Sequence, residues 1–214
     1  MRVGILGSGE VGQALAKGFV DRGHDVLLGT RNPTGRRPKA WVSEVKGKAS
    51  VGTYDEAARH GEVIVLATPG DAAEASVRAA GLRNFKGKLL IDVTNPLVFR
   101  GSEPGLRFGI EDSLGERLQR LLPDAKVVKA FNTVPSTQMV DPKFAGGAPD
   151  MMIAGDDQQA KGRVVALLKE FGWPGALDFG KIRAARWLEA HVGLWYLAGE
   201  SLDRWDHAFK VVHG

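Results

Sequence analysis

Gly7-Ser8-Gly9-Glu10-Val11-Gly12 follows the apolar run Arg2-Val-Gly-Ile-Leu6 and opens a segment of helical character, Val11–Arg22. The spacing G-x-G-x-x-G alone carries little weight: a chain with 28 glycines in 214 residues matches it by chance roughly half a time. Its context decides. Gly7 ends an apolar strand, Gly9 lets a ligand approach the backbone, and Gly12 allows a helix to pack closely on the strand. The free N–H groups at the start of that helix then face an anion, which is how a pyrophosphate is held. Gly7, Ser8, Gly9, Glu10, Val11 and Gly12 are therefore the candidate pyrophosphate loop of a dinucleotide site.

Outward from this loop, short runs rich in Val and Ile alternate with longer helical stretches, the pattern of a parallel sheet covered by helices. Strands are expected at Arg2–Leu6, Asp25–Gly29, Glu62–Ala67, Lys88–Val93, Lys126–Ala130 and Asp150–Ala154. Helices are expected at Val11–Arg22, Tyr54–Arg59, Ala72–Ala80, Ser113–Leu122 and Asp157–Phe171. Gly23 closes the first of these, and Ser113-Leu-Gly-Glu116 fits a capping box at the fourth. The fold class is α/β, a Rossmann-type doubly wound, mostly parallel sheet with a C-terminal helical extension. Residues 1–180 form the dinucleotide-binding domain; residues 181–214, with Trp187, Leu188, Leu194, Trp195, Ala198, Leu202 and Trp205 in a stripe, close the cleft or form a dimer interface.

The composition narrows the chemistry. With 43% apolar and 25% charged residues the chain is an ordinary globular one, and without cysteine it has no disulfide, thiolate metal site or thiol nucleophile. A net charge of +4 would suit nucleic acid only if the basic residues were gathered, and they cluster only between Arg31 and Lys39. No apolar run approaches the roughly 18 to 20 residues of a membrane span. The N-terminus is not a signal peptide, so a cytoplasmic protein is expected, with neither nucleic acid nor membrane as partner.

The end of the second strand distinguishes the two common dinucleotides. An acid there would hold the ribose 2′-OH of NAD, but the chain reads Gly29-Thr30-Arg31-Asn32. Asp25 lies at the other end of that strand, about 15 Å away, and cannot serve. A hydroxyl beside a permanently charged, forked guanidinium suits a 2′-phosphate, so NADP(H) is the expected cofactor. Thr30, Arg31, Asn32 and Arg36 are assigned to it; whether Arg37 or Lys39 adds a contact stays open.

In such a sheet, ligands lie beyond the carboxyl ends of the strands. Three of these ends read Thr68-Pro69-Gly70, Thr94-Asn95-Pro96 and Ala130-Phe131-Asn132-Thr133. Thr68, Pro69, Asn95, Pro96, Ala130, Phe131 and Asn132 would line one cleft with short neutral hydrogen-bonding groups, and an asparagine can hold a carboxamide through both donor and acceptor. No nucleophile, acid–base pair or metal box stands beside them. His24, His60, His207 and His213 are peripheral, His191 is a packed or solvent-facing residue of the C-terminal helix, and Lys129 is read as a structural ion pair or snorkelling lysine before a buried acid. Hydride transfer needs little more than positioning and exclusion of water.

The segments GILGSGEVGQALA, LLGTRNP, LLIDVTNPL, LQRLLPDAKVVKAFNT, MMIAGDD and RAARWLEAHVGLW together resemble the NADPH-dependent coenzyme F420 (8-hydroxy-5-deazaflavin) oxidoreductases, and also the reductase domain of STEAP-type ferric reductases. The resemblance implies that Thr30 and Arg31 hold the 2′-phosphate, Gly7 to Gly12 the pyrophosphate, and residues around Pro69, Asn95 and Ala130 to Asn132 the nicotinamide. The chain departs from the family at Gly70-Asp71-Ala72, where bulky residues are usual, and at Gly35, where a basic residue is usual. The expected function is hydride transfer between NADPH and a deazaflavin (coenzyme F420) or a flavin such as FMN or FAD, with no catalytic side chain, in a possible homodimer. The alternatives are a reductase of a small imine or carbonyl compound, which would aim Lys129 or His191 into the cleft as proton donor, and an NADP(H)-binding sensor without turnover.

Overall fold

The computed structural model describes residues 1–101 and 103–212. In chain order these form β1 (Arg2–Leu6), α1 (Glu10–Asp21), β2 (Asp25–Gly29), α2 (Arg36–Glu44), β3 (Ala49–Gly52), α3 (Tyr54–His60), β4 (Val63–Leu66), α4 (Ala73–Ala79), β5 (Leu89–Asp92), β6 (Leu97–Arg100), β7 (Glu103–Leu106), α5 (Leu114–Leu121), β8 (Lys126–Lys129), β9 (Met151–Gly155), α6 (Gln158–Glu170), β10 (Ala176–Asp178) and α7 (Ala185–Leu202). The main sheet has the order β10-β9-β8-β5-β4-β1-β2-β3. Chain order reverses at β1, so the crevice between β1 and β4 is the topological switch point where ligands gather.

Near-continuous apolar runs make these strands because both faces of the sheet are covered. Val3, Ile5, Val63, Val65, Leu89 and Ile91 feed one core with Leu15, Phe19 and Phe171. The alternate residues Leu6, Ile64, Leu66 and Leu90 feed the other with Val77, Phe85 and Leu118. Each such fully buried side chain stabilises the fold by about 1.5–3 kcal/mol. At Gly61 and Gly4 the backbones run too close for a side chain: a Cβ on Gly4 would stand 2.1 Å from the Ala57 carbonyl oxygen, which lets α3 lie directly on β1.

Across the main sheet β3, β2, β1, β4, β5 and β8 are parallel, but β9 pairs with β8 antiparallel, Val128 opposite Gly155, and β10 follows β9. The segment Gly155-Asp156-Asp157 consequently lies at the amino-terminal edge of the parallel strands, where Asp157 meets Lys126 at 3.1 Å and caps α6 through the Ala160 N–H.

Several elements differ from expectation. The basic stretch after Arg31 contains α2, held by the buried Pro38 and Trp41. β3, β10 and the β6/β7 hairpin are too short and too polar or irregular to show a strand period. Ser113 does cap α5, accepting from the Glu116 N–H, but the capping box is incomplete. Asp112 takes the Ser113 N–H, and the Glu116 carboxylate turns to Arg186 at 2.7 and 2.8 Å. A complete box stands instead at Thr53 and Glu56, opening α3.

The C-terminal stripe is only half core. Leu188 and Val192 are buried against the sheet, whereas Trp187, Leu194, Leu197 and Leu202 are more than half exposed. The helix runs out past the sheet, and residues 203–212 fold back on it, with the His207 ring stacked on Trp195. No helix among the described residues is long and apolar enough to cross a membrane. His213 lies outside the described residues.

Candidate functional site

The three loop glycines serve three different ends. Gly7 has φ +123°, and a Cβ there would sit 2.3 Å from the Ala67 carbonyl oxygen. A Cβ on Gly12 would sit 1.9 Å from the carbonyl oxygen of Gly7, so the first turn of α1 rests on the loop itself. At Gly9 nothing lies within 4 Å of that position, which leaves an open cradle over the start of α1. No side chain caps this helix, so the N–H groups of its first turn face that space.

The loop is tied to the end of β2. Ser8 Oγ donates to Thr30 Oγ1 at 3.1 Å, and Gln13 Nε2 donates to the Ser8 carbonyl at 2.9 Å. Thr30 is buried while Arg31 and Asn32 beside it are exposed. Farther on, the first turn of α2 carries Arg36 and Arg37, and it is Arg37 that lines the same cleft as Gly9, Glu10 and Val11. Arg36, exposed beside it, is not among the residues lining that cleft.

This cleft, of about 450 Å³, continues from the loop to Ala67, Thr68, Pro69 and Gly70 after β4 and to Val93, Thr94 and Asn95 after β5. A second cleft of about 420 Å³ runs from Thr30 and Arg31 to Tyr54 and to Ala72, Ala75, Ser76 and Ala79. Sequence reasoning missed this second cleft, although small residues spaced three, four and seven apart along α4 mark one flat helix face. Gly70, where bulky residues were noted as missing, has no room for one: a Cβ would lie 2.4 Å from the Asn95 carbonyl oxygen.

The third strand end joins the other two through a pair of asparagines. Phe131 takes a left-handed conformation, φ +62°, with its ring in the core near Phe171. This turn brings Asn132 back towards β5. Asn132 Nδ2 donates to Asn95 Oδ1 at 3.1 Å and to the Leu188 carbonyl at 2.8 Å, and Asn95 Nδ2 donates to the Asn132 carbonyl at 2.9 Å. Pro96, next along, is buried and accepts from the Arg107 N–H, which anchors the hairpin. Ala130 is fully buried behind the pair. Thr68 Oγ1 and Asn132 Oδ1 are buried with no hydrogen-bond partner among the described residues.

Lys129 is a structural ion pair, and more than a pair. Its side chain is completely buried, with Nζ 2.9 Å from Asp92 Oδ2, 2.9 Å from Glu189 Oε1 and 2.6 Å from the Thr94 carbonyl. Burial alone would favour the neutral amine, but the two carboxyl groups outweigh it and hold the lysine above its ordinary value. His191 packs edge-on to Phe209, and burial lowers its pKa. Neither residue lines the cleft. Among the described residues no group of three His, Asp or Glu could hold a metal ion. The arrangement can grip phosphates, present neutral hydrogen-bonding groups to a flat ring, and do little acid–base work.

Residues 2–96 match the family model NADP oxidoreductase coenzyme F420-dependent. The chain is 36% identical to a candidate F420-dependent NADP reductase from Arthrobacter sp. FB24, with a TM-score of 0.95 over 100% of both chains. It is 26% identical to the F420-dependent NADP reductase of Methanocaldococcus jannaschii, over 89% of this chain and 88% of that protein. It is 32% identical to the metalloreductase STEAP3 of Rattus norvegicus over 88% of this chain, but spans only 36% of the length of that protein. The fold is shared at full length with a relative 36% identical in sequence, and the chain belongs to the coenzyme F420-dependent NADP oxidoreductase family.

Proposed function

We propose that this chain transfers a hydride between NADP(H) and a deazaflavin, coenzyme F420, or a flavin. The observation that carries the reading is the main cleft. Away from its phosphate-loop end, where Glu10 and Arg37 stand, it is lined by backbone and by the neutral side chains of Thr68, Pro69 and Asn95. Such a lining suits a reaction that needs two rings held in register and water kept out.

The residues fit the cofactor. The open space over Gly9 suits a pyrophosphate, and the unpartnered Thr68 Oγ1 suits a polar group entering the cleft. In this reading the backbone of Gly7, Ser8, Gly9, Glu10, Val11 and Gly12 holds the pyrophosphate. Thr30, Arg31 and Asn32 receive the 2′-phosphate, with Arg36 and Arg37 adding positive field. The flat face of α4 at Ala72, Ala75 and Ala79, opposite Arg31, takes the adenine. Thr68, Pro69, Asn95 and Pro96 border the nicotinamide, supported from behind by Ala130, Phe131 and Asn132. When bound, NADPH supplies the hydride, and the chain supplies orientation. Residues 1–180 act as the dinucleotide-binding domain and 181–214 as the segment that closes the cleft, with the exposed Trp187, Leu194, Leu197 and Leu202 available to a second copy.

The imine or carbonyl alternative needs a proton donor over the cleft, and Lys129 and His191 both lie elsewhere. Stopped-flow mixing of NADPH with coenzyme F420, FMN and FAD tests the proposal; rapid oxidation with one of them is expected. Tight NADPH binding with no oxidation by any of the three would overturn it in favour of a sensor.

A further inference from the structure

Lys129, Asp92 and Glu189 bring an amine and two carboxyl groups into the interior, where assembling such groups is costly and apolar residues of similar volume would be at least as stable. Stability alone does not account for them. Their hydrogen bonds do. Asp92 Oδ1 accepts from the Thr94 N–H at 3.0 Å and from Thr94 Oγ1 at 2.6 Å, while Lys129 Nζ donates to the Thr94 carbonyl. Thr94 is therefore gripped at its N–H, its hydroxyl and its carbonyl. Glu189 also accepts from the Leu114 and Gly115 N–H groups at 2.8 and 3.0 Å, which fixes α7 to the start of α5.

These bonds close a ring. From Glu189 it passes to Lys129, to Thr94, along the chain to Asn95, across to Asn132, and back to the carbonyl of Leu188, the residue before Glu189. Two consecutive residues of α7 thus reach two positions at the end of β8, and between them they fix the wall of the cleft. The ring also fixes which way the amides face. The Leu188 and Asn132 carbonyls can only accept, so Asn132 Nδ2 must face one and Asn95 Nδ2 the other. Asn95, the member that lines the cleft, is left with one amide hydrogen and one lone pair of Oδ1 that Asn132 does not take.

We propose that Asp92, Lys129 and Glu189 are positioning residues: through this ring they hold the Asn95 amide in one orientation, with its unspent hydrogen and lone pair offered to a carboxamide, and so set both the ring face presented for hydride transfer and the selectivity for nicotinamide. The proposal rests on the reading that NADP(H) occupies the cleft. A readout by binding alone separates the two. The folded protein is expected to bind NADP⁺ roughly tenfold tighter than its 3-acetylpyridine analogue, in which a methyl ketone replaces the amide and one hydrogen bond is lost. The variant E189Q and the charge-free triple variant D92N/K129M/E189Q are expected to lose that discrimination, with NADP⁺ binding falling roughly tenfold to the level of the analogue, and to transfer hydride roughly ten- to a hundredfold more slowly.

The triple variant leaves no unpaired buried charge, which keeps the test open where K129M alone fails to fold. A folded triple variant that discriminates the analogue and transfers hydride as the parent does would overturn the proposal, as would a parent protein that binds both nucleotides equally. If the parent binds NADP⁺ selectively but reduces none of the acceptors, the assignment of acceptor fails and the positioning role stands.

Discussion

Ser8 and Thr30 meet hydroxyl to hydroxyl at 3.1 Å, joining the loop after β1 to the end of β2. The contact sets the distance between the cradle over Gly9 and the exposed Arg31. In the proposed reading it sets the spacing between a pyrophosphate and a 2′-phosphate on one nucleotide. Replacing Arg31 with Ala should weaken NADPH roughly tenfold or more while leaving NADH nearly unchanged, because a charge-assisted bond to phosphate is lost and no ribose contact is. Titration calorimetry with both nucleotides decides; equal losses would refute the role.

The loop glycines should part company on substitution. Gly9 has φ −76°, which alanine adopts, and open space around it, so Gly9→Ala should leave the melting temperature unchanged while obstructing NADPH. Gly12→Ala drives a methyl into the Gly7 carbonyl and should lower the melting temperature by about 5 °C or more. Calorimetric scans of the two variants beside their NADPH affinities test this.

The second cleft gives a test that spares the fold. Ala75 is exposed on α4, so Ala75→Phe should fold normally and fill the slot opposite Arg31. NADPH affinity should fall roughly tenfold, the worth of burying about one or two methylene groups. Unchanged affinity in a binding titration would place the adenine elsewhere.

His191 should make the fold sensitive to mild acid. Burial lowers its folded-state pKa below the unfolded value of 6.5, so the unfolded chain binds the extra proton first. The contribution is present above that value and is lost as the pH falls through the folded-state pKa. Denaturant unfolding between pH 7.5 and pH 5 should show declining stability, and His191→Leu should flatten the slope over that interval.

The alternating apolar runs made β1, β2, β4, β5 and β8 legible within a residue or two, because strands covered on both faces must be apolar throughout. α2 was hidden because Pro38 and Trp41 are its only buried residues, too few to reveal a helical period. The strand ends at Thr68, Asn95 and Asn132 could be found, since each stands where an apolar run stops. What they bond to could not. Glu189 lies sixty residues beyond Lys129, and nothing local distinguishes a carboxylate that will meet a buried amine from one that will meet water.

The reversal of β9 has a bearing on how likeness within the family is to be weighed. MMIAGDD is among the segments by which the chain resembles its relatives, yet its acidic end is delivered to the sheet edge opposite the cleft, where it caps α6 and meets Lys126. In this chain its acidic end serves architecture alone. Two relatives that share it have earned no common cofactor by doing so, whereas in the proposed reading a single change at Thr30 or Asn95, at the carboxyl edge of the parallel strands, outweighs the whole segment when chemistry is inferred.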